Sequence, residues 1–389
     1  MKLNIKLGRR SGGDVVGLDI QPGFVAAVQA RVNGSILAER AAVLPLAADT
    51  VREGEVMDEG ALSEVLRELF GASGLSKHVR VGVANQRTVL RTLELPPLTD
   101  QKELAAAVRF QAQDQVPMPL NNAVLDFHAL GIIDTPAGPR QRVVLVAAQR
   151  DMIERLLTAV RGAGLNPSGV DLSAFALIRS LHRPEPEGSG RVLYLNVDGL
   201  TNLAIAEGKI CRFTRVVGSG LEGMAGELAV RRGIPLTEAR ALLAAIDLNA
   251  PAPSVPGAGP ADAEVSAATD EPGDELGADF SEDEASAAQR TPSERDAWEV
   301  LENGIREISG EVRNSLDFHR SQDGGGDVSH VVLSGAAQDI PGFADALQHS
   351  LGVEIHSEAV GLVDEKLTGK VSTHRLAVAA GLAATEAPQ

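Results

Sequence analysis

The stretch that most constrains the fold of this chain is residues 14–44, which has the pattern of three successive β-strands. An apolar run ends at the acidic residue Asp19, a short polar turn follows, and a second strand leads through Asn33-Gly34 into a third. Asn-Gly between two strand-like runs predicts a hairpin, because both central positions of a type I′ turn need positive φ. The segment therefore predicts a three-stranded meander with a carboxylate at the end of its first strand, where phosphate and Mg²⁺ sites are often built.

The same plan recurs in the second half of the chain, at residues 191–217. An apolar strand ends in a polar turn over 196–201, and two further strands surround a Glu207-Gly208 turn. A duplicated strand-turn-strand unit predicts two related halves that face each other. The alternative at this point is a chance resemblance between two hairpins.

Length and composition limit the class of protein. With 389 residues the chain has the length of two or three domains. No apolar run approaches the roughly 18 residues that a membrane-spanning helix needs, and the N-terminus lacks the apolar core of a signal peptide. The one cysteine, Cys211, excludes an internal disulfide and a cysteine-based zinc site. We therefore expect a cytoplasmic protein.

The charge of the chain is unevenly distributed. A formal net charge of −17 argues against nucleic-acid binding. Much of it lies in residues 251–290, which hold ten acidic residues and one basic residue. This composition cannot bury enough apolar surface to offset the entropy of ordering, so we predict that residues 248–290 form a disordered insertion. The basic N-terminal head predicts either weak contact with an anionic membrane surface through residues 2–10 or a solvated terminus.

Periodicity and turn residues suggest a division of the chain into domains. A compact β-β-α-β-β-α pattern interrupts the first half, and its first helix is predicted to begin at Thr99-Asp100 and to end near Gln115. A long amphipathic helix is predicted over residues 292–322. The predicted units are a basic head (1–13), a first domain (14–78 and 168–190), an inserted subdomain (79–167) and a second domain (191–389) containing the acidic insertion (248–290).

Three polar turns stand at the ends of predicted strands. Two duplicated halves with polar turns facing a cleft, followed by a turn of small residues, are typical of an actin-like nucleotide clamp. Two such turns hold phosphate through backbone N–H groups, and the third lets the nucleoside approach closely. The candidate cofactor-binding residues are Asp19 (also the metal candidate), Gly23, Asn196, Asp198, Gly199, Thr201, Ser334, Gly335 and Ala336.

Several segments resemble the PilM family of type IV pilus assembly proteins, relatives of the cell-division protein FtsA. They include VVGLDI (15–20), EGEVMD (53–58), VLRTLELPPLTDQKEL (89–104), AAVRFQAQDQVPMPL (106–120) and VVLSGAAQDIPGFADAL (331–347). The resemblance extends over most of the chain and skips the acidic insertion. It implies an α/β, two-lobed, actin-like fold of the actin, Hsp70 and sugar-kinase superfamily, with an FtsA-type inserted subdomain.

The first turn departs from the family pattern. It usually reads Asp-Ile-Gly, with a lysine further on. Here Gln21 adds a side chain where the backbone would approach phosphate, and Pro22 lacks an N–H donor. We interpret Ala27 as standing at the lysine position.

The other two turns also differ from the family. The second usually begins with an acid, so either Asn196 replaces that acid or the acid has shifted to Asp198. The third turn has Ala336 in place of a second glycine. We expect no significant ATP hydrolysis and assign no catalytic residue. Two alternatives stay open: a cleft that retains ATP and Mg²⁺, and one that has lost them.

The resemblance also implies a function and a location. PilM-like proteins are scaffolds at the cytoplasmic face of the inner membrane, where they bind the N-terminal tail of a PilN-like membrane protein. We expect that tail in a groove between the first domain and the insert, with Asn85, Arg91 and Gln111 as polar contacts. Other pilus assembly components are further expected partners. The alternatives are a working ATPase or small-molecule kinase, or an FtsA-like filament-forming protein.

Overall fold

The computed structural model describes residues 15–136, 138–184, 190–251, 291–322, 324–363 and 371–384. The predicted basic head, and the predicted acidic insertion beyond residue 251, lie outside the described residues. Within the described ranges, no helix combines the length and the apolar character needed to cross a bilayer.

The first lobe is built on a six-stranded mixed sheet that contains the predicted meander. Its strands are β1 (Val16–Gln21), β2 (Phe24–Asn33), β3 (Ser35–Pro45), β6 (His78–Val83), β10 (Asn166–Leu172) and β16 (Gly361–Leu362), in the order β10-β6-β1-β2-β3-β16. A small hairpin of β4 (Val51–Arg52) and β5 (Glu55–Val56) follows β3. Because β1, β6 and β10 are parallel, their carboxyl ends meet at one edge of the sheet.

The hairpin between β2 and β3 forms, but its turn is not the predicted type I′ turn. Gly34 has a φ of 70°, whereas Asn33 does not have positive φ. Asn33 pairs directly with Ser35, so the hairpin closes over Gly34. A register shift between Gln29 and Ala30 lies on the same strand. Such a bulge changes which residues of the two strands pair, whereas the turn prediction assumed regular pairing.

The second lobe repeats the meander, as predicted. β11 (Arg191–Val197), β12 (Thr201–Glu207) and β13 (Ile210–Val217) are joined by β14 (Val328–Ser334) and β15 (Ile355–Ser357), in the order β13-β12-β11-β14-β15. The sheet packs against α5 (Leu221–Arg232), α6 (Leu236–Ala244), α7 (Pro292–Ser321) and α8 (Phe343–Leu351). The predicted long helix is α7, and its apolar stripe is buried in this core.

The insert is smaller than the predicted range 79–167. It consists of β7 (Val89–Leu95), α2 (Gln101–Gln115), β8 (Ala123–Thr135) and β9 (Gly138–Gln149), with strand order β7-β9-β8. β6 pairs with β1 and β10 in the first-lobe sheet. α3 (Arg150–Gly162) packs with α1 (Glu59–Ser73) in the first-lobe core. Both ends of the predicted insert therefore belong to the first lobe, because their apolar faces are buried there.

Two elements near the predicted domain boundaries depart from expectation. β10 was not predicted, because Pro167 and Gly169 disfavour strands; a register shift between these two residues accommodates them. The C-terminal helix α9 (Ala377–Ala383) packs against α4 (Ser173–Leu181) in a core that also includes β2. The predicted second domain, 191–389, is thus wrong at its end, since β16 and α9 return to the first lobe.

Asp100 caps α2 as predicted, and its removal has a measurable consequence. Its carboxylate accepts hydrogen bonds from the backbone N–H groups of Lys102 (2.6 Å) and Glu103 (3.2 Å). We expect Asp100→Ala to destabilise the insert by about 1 kcal/mol, seen as a lower unfolding midpoint. Asp114→Ala, at an exposed site near the other end of α2, is the control. It should cost nothing, because a carboxylate there opposes the helix dipole.

Candidate functional site

The three predicted polar turns converge between the lobes. The first joins β1 to β2, the second joins β11 to β12, and the third follows β14, which is parallel to β11. Residues from all three line one cavity, namely Pro22, Gly23, Phe24, Asp198, Gly199 and Ala336. Carboxyl ends of parallel strands are where open α/β sheets usually bind ligands.

Asp19 lies at the base of the first turn and is buried. Gln21 donates from Nε2 to Oδ1 of Asp19 at 3.1 Å. Burial raises the pKa of Asp19 to about 7, and the charge of Asp198 contributes to the increase. The remaining oxygens, Oδ2 of Asp19 and Oε1 of Gln21, have no hydrogen-bond partner among the residues that the structure describes. The two halves of the duplicated fold thus bring two carboxyl groups towards each other.

The strand register shows which residue of β2 faces Asp19. Asp19 pairs with Ala26 in the β1–β2 ladder, so these two residues share a face of the sheet. Ala27 lies on the opposite face, in the core with Val16 and Leu18. The residue that faces Asp19 is therefore Ala26, and its methyl group offers no charge to a phosphate.

In the second turn, Asp198 is a buried acid. Its Oδ2 accepts a hydrogen bond from Nδ2 of Asn196 at 3.0 Å, and its Oδ1 accepts one from the backbone N–H of Ala336 at 2.9 Å. Burial raises the pKa of Asp198, although these hydrogen bonds oppose the increase. Asn196 thus supports the carboxyl group of Asp198 through its side-chain amide.

Two further candidates use their hydroxyl groups within the protein. Thr201 donates from Oγ1 to the carbonyl oxygen of Ser219 at 2.5 Å. Ser334 donates from Oγ to the carbonyl oxygen of His374 at 3.1 Å. Gly335 has a φ of 100°, and a Cβ there would lie 2.4 Å from the carbonyl oxygen of Val197. The second and third turns are therefore packed against each other.

Charged residues that the sequence analysis missed complete the cavity. Glu222, at the start of α5, forms an ion pair with Arg240 of α6. Arg375 lies 5.0 Å from the ring centroid of Phe24, and Asp339 accepts hydrogen bonds from His374 and Ser372. Burial opposes ionisation of Asp339, but these two bonds and the charges of His374 and Arg375 together hold its pKa below the ordinary value. Glu222 follows the loop after β13. The repeated strand pattern in the sequence could have identified this position as part of the site.

The residues present do not fit ATP and Mg²⁺. The cavity measures about 170 Å³, whereas ligand pockets usually measure roughly 300–1,000 Å³. Pro22 has no N–H to offer, and the N–H of Ala336 is already bonded to Asp198. Mg²⁺ in such sites is bound largely through phosphates. Among the described residues, no group of three or more His, Cys, Asp or Glu side chains is arranged to hold a metal ion.

A second cavity, of about 580 Å³, lies between the β6–β7 link and the second lobe. It is lined by Asn85, Gln86, Thr88, Glu307, Glu311 and the segment 214–219. Asn85, a predicted peptide contact, lines this cavity but also donates to the carbonyl oxygen of Glu53 and accepts from the N–H of Arg87. Its amide therefore braces the link between β6 and β7.

The other two predicted peptide contacts lie elsewhere on the insert. Arg91 is on β7 and donates to the carbonyl oxygen of Leu90 at 2.8 Å. Gln111 is on α2, in the turn that holds the buried residues Val108 and Ala112. Neither is among the residues that line the second cavity. The structure thus brings Asn85, but not the other two, to that cavity.

Comparison with known proteins agrees with this architecture. Residues 17–188 match the family model of the type IV pilus assembly protein PilM. A solved structure, "PilM-PilN type IV pilus biogenesis complex", is 22% identical, covers 96% of this chain and 98% of its own, and has a TM-score of 0.71. The ethanolamine utilization protein EutJ from Carboxydothermus hydrogenoformans is 15% identical, with coverages of 95% and 88% and a TM-score of 0.49.

The first two of these findings bear on the fold and on the family similarity. The family model matches the meander, the insert and the return to the first-lobe sheet. The PilM–PilN structure shares the fold along nearly the whole of both chains. The fold is therefore actin-like, and residues 17–188 are similar to the PilM family.

Proposed function

We propose that this protein is a scaffold of type IV pilus assembly that binds the N-terminal tail of a PilN-like membrane protein. The observation that carries the proposal is the similarity, over 96% of this chain, to a PilM in complex with PilN. Binding such a tail would hold the protein at the cytoplasmic face of the inner membrane. A cavity poorly suited to ATP also favours partner binding over catalysis as the function of this protein.

The second cavity offers a docking site for an extended peptide. β13 is at the edge of its sheet, where β12 is its one paired neighbour among the described strands. Four consecutive residues at the end of β13, from Thr214 to Val217, line the cavity. An exposed strand edge binds an extended peptide through main-chain hydrogen bonds. We place the tail along this edge, where the β6–β7 link meets the second lobe.

The charges around the cavity favour a basic residue in the tail. Glu307 and Glu311 lie one turn apart on α7, and both line the cavity. Arg215 forms an ion pair with Glu311 at 2.7 Å, and Glu307 is exposed. A lysine or arginine of the tail would therefore meet a carboxylate beside the strand edge.

Peptide binding tests this proposal. We expect a labelled synthetic peptide with the N-terminal sequence of the candidate PilN-like partner to bind the wild-type protein in fluorescence anisotropy, without nucleotide. Glu307→Lys should weaken binding about tenfold, because a charge is reversed beside the peptide. Glu302→Lys is the matched control, since Glu302 is exposed on α7 and does not line the cavity.

The outcomes separate the function from the place of docking. If the wild-type protein does not bind the peptide, the proposed function is wrong. If the wild type binds and the two lysine variants bind equally well, the tail docks elsewhere. Arg91 and Gln111 then become the next sites to substitute.

A further inference from the structure

The lobes are in direct backbone contact where an actin-like protein would hold phosphate. A Cβ added to Gly199 would lie 2.1 Å from the carbonyl oxygen of Pro22. Pro22 belongs to the first turn and Gly199 to the second, so this contact joins the two lobes. A phosphate between these turns would have to push them apart.

Carboxylates of the protein occupy the positions next to the turns. Oδ1 of Asp198 accepts the Ala336 N–H, a donor of the kind that turns of this type offer to phosphate. Glu222 lies against the first turn, because a Cβ added to Gly23 would be 2.6 Å from Oε2 of Glu222. The negative charges beside these turns therefore come from side chains of the protein itself.

Arg240 connects this arrangement to the first lobe. Its Nε donates to Oε2 of Glu222 at 2.9 Å, and Nη2 donates to Oε1 of the same carboxylate. Its Nη1 donates to the carbonyl oxygen of Leu46 at 3.4 Å, and Leu46 follows β3 in the first lobe. A bidentate arginine–carboxylate pair has a defined geometry and is stronger than a neutral hydrogen bond.

We propose that Pro22, Gly199, Asp198, Ala336, Glu222 and Arg240 form an internal clasp that holds the lobes closed in place of a nucleotide, and that this protein does not bind ATP. The carboxylates of Asp198 and Glu222 supply the negative charge that phosphates supply elsewhere. The clasp does not involve the partner, so the outcome of the peptide-binding experiment neither supports nor contradicts it.

Nucleotide titration tests the first half of the proposal. We expect no saturable heat when Mg·ATP or Mg·ADP is titrated to 1 mM into the full-length protein by calorimetry. The unfolding midpoint should also change by less than 1 °C in 5 mM Mg·ATP relative to MgCl₂ alone. Saturable binding, or a rise of several degrees, would overturn the proposal, since a ligand of the folded state stabilises by mass action.

Hydrogen exchange tests the second half. Glu222→Ala removes the carboxylate that holds Arg240, so backbone amides of residues 23–25, 46 and 200 should exchange at least tenfold faster. Glu299→Ala is the matched control: it removes an ion pair with Arg231 on the surface of the same lobe. It should leave these amides unchanged. Equal exchange in the wild type and Glu222→Ala would show that the clasp does not hold the lobes.

Glu222→Gln distinguishes lost closure from misfolding. The amide keeps the shape of the side chain and one acceptor for Arg240, but not the charge. We expect intermediate exchange at the same amides and an unchanged circular dichroism spectrum. Exchange as slow as in the wild type would mean that the negative charge of Glu222 contributes nothing to the clasp.

Discussion

Asp19→Asn is expected to stabilise the protein by about 4 kcal/mol at pH 8 and by about 1–2 kcal/mol at pH 5. Burial, with a contribution from Asp198, raises the pKa of Asp19 from 3.8 to about 7. Between these values the unfolded chain releases a proton that the folded protein keeps, so stability falls as the pH rises. Above pH 7 both states are ionised, and the full cost of the buried charge is present. Asparagine removes that cost.

The measurement is the unfolding midpoint of both proteins in denaturant between pH 5 and pH 8. The control is Asp114→Asn, at an exposed position on α2, which should change the midpoint little at either pH. An asparagine variant less stable than the wild type at pH 8 would contradict the prediction. It would mean that the folded protein favours the ionised form of Asp19 rather than the neutral form.

Gly381→Ala is expected to destabilise the protein by about 3 kcal/mol. A Cβ on Gly381 would lie 1.9 Å from the carbonyl oxygen of Ala176, which is backbone in the neighbouring helix α4. α9 is buried on every side, so neither helix can move away without opening the core that joins the lobes. Thermal unfolding and hydrogen exchange of α9 would measure the effect.

Gly226→Ala supplies the control for this substitution. Gly226 lies in α5, and a Cβ there would meet nothing within 4 Å. Alanine is the better helix former by up to about 1 kcal/mol, so this variant should be slightly more stable than the wild type. If both alanine variants were stabilising, the close approach of α4 and α9 would be contradicted.

The two lobes illustrate what local pattern predicts well. The meander of the first lobe and its repeat in the second were predicted because strand runs, turn residues and acidic strand ends follow each other in a fixed order. The start of α2 at Asp100 was predicted equally well, since a capping aspartate bonds to backbone N–H groups two and three residues further along the chain. Each of these features depends on neighbours in the sequence.

The insert boundary and α9 illustrate what local pattern misses. β6 looks like a strand of the insert, yet it pairs with β1, far away in sequence. α9 looks like the end of the second domain, yet its small residues pack onto α4 of the first lobe. Sequence shows that a face is apolar but not which of several apolar partners will cover it.

Local sequence pattern was sufficient to predict the repeated meander, the actin-like plan and the loss of Gly and Lys from the first turn. The roles of the altered turns follow from contacts that form in the folded protein. Gln21 and Asn196 support buried carboxyl groups, Pro22 meets Gly199 across the lobes, and Glu222 and Arg240 close the cleft. These contacts join residues from separate strands and helices, so they exist only once both sheets have formed and the lobes have met.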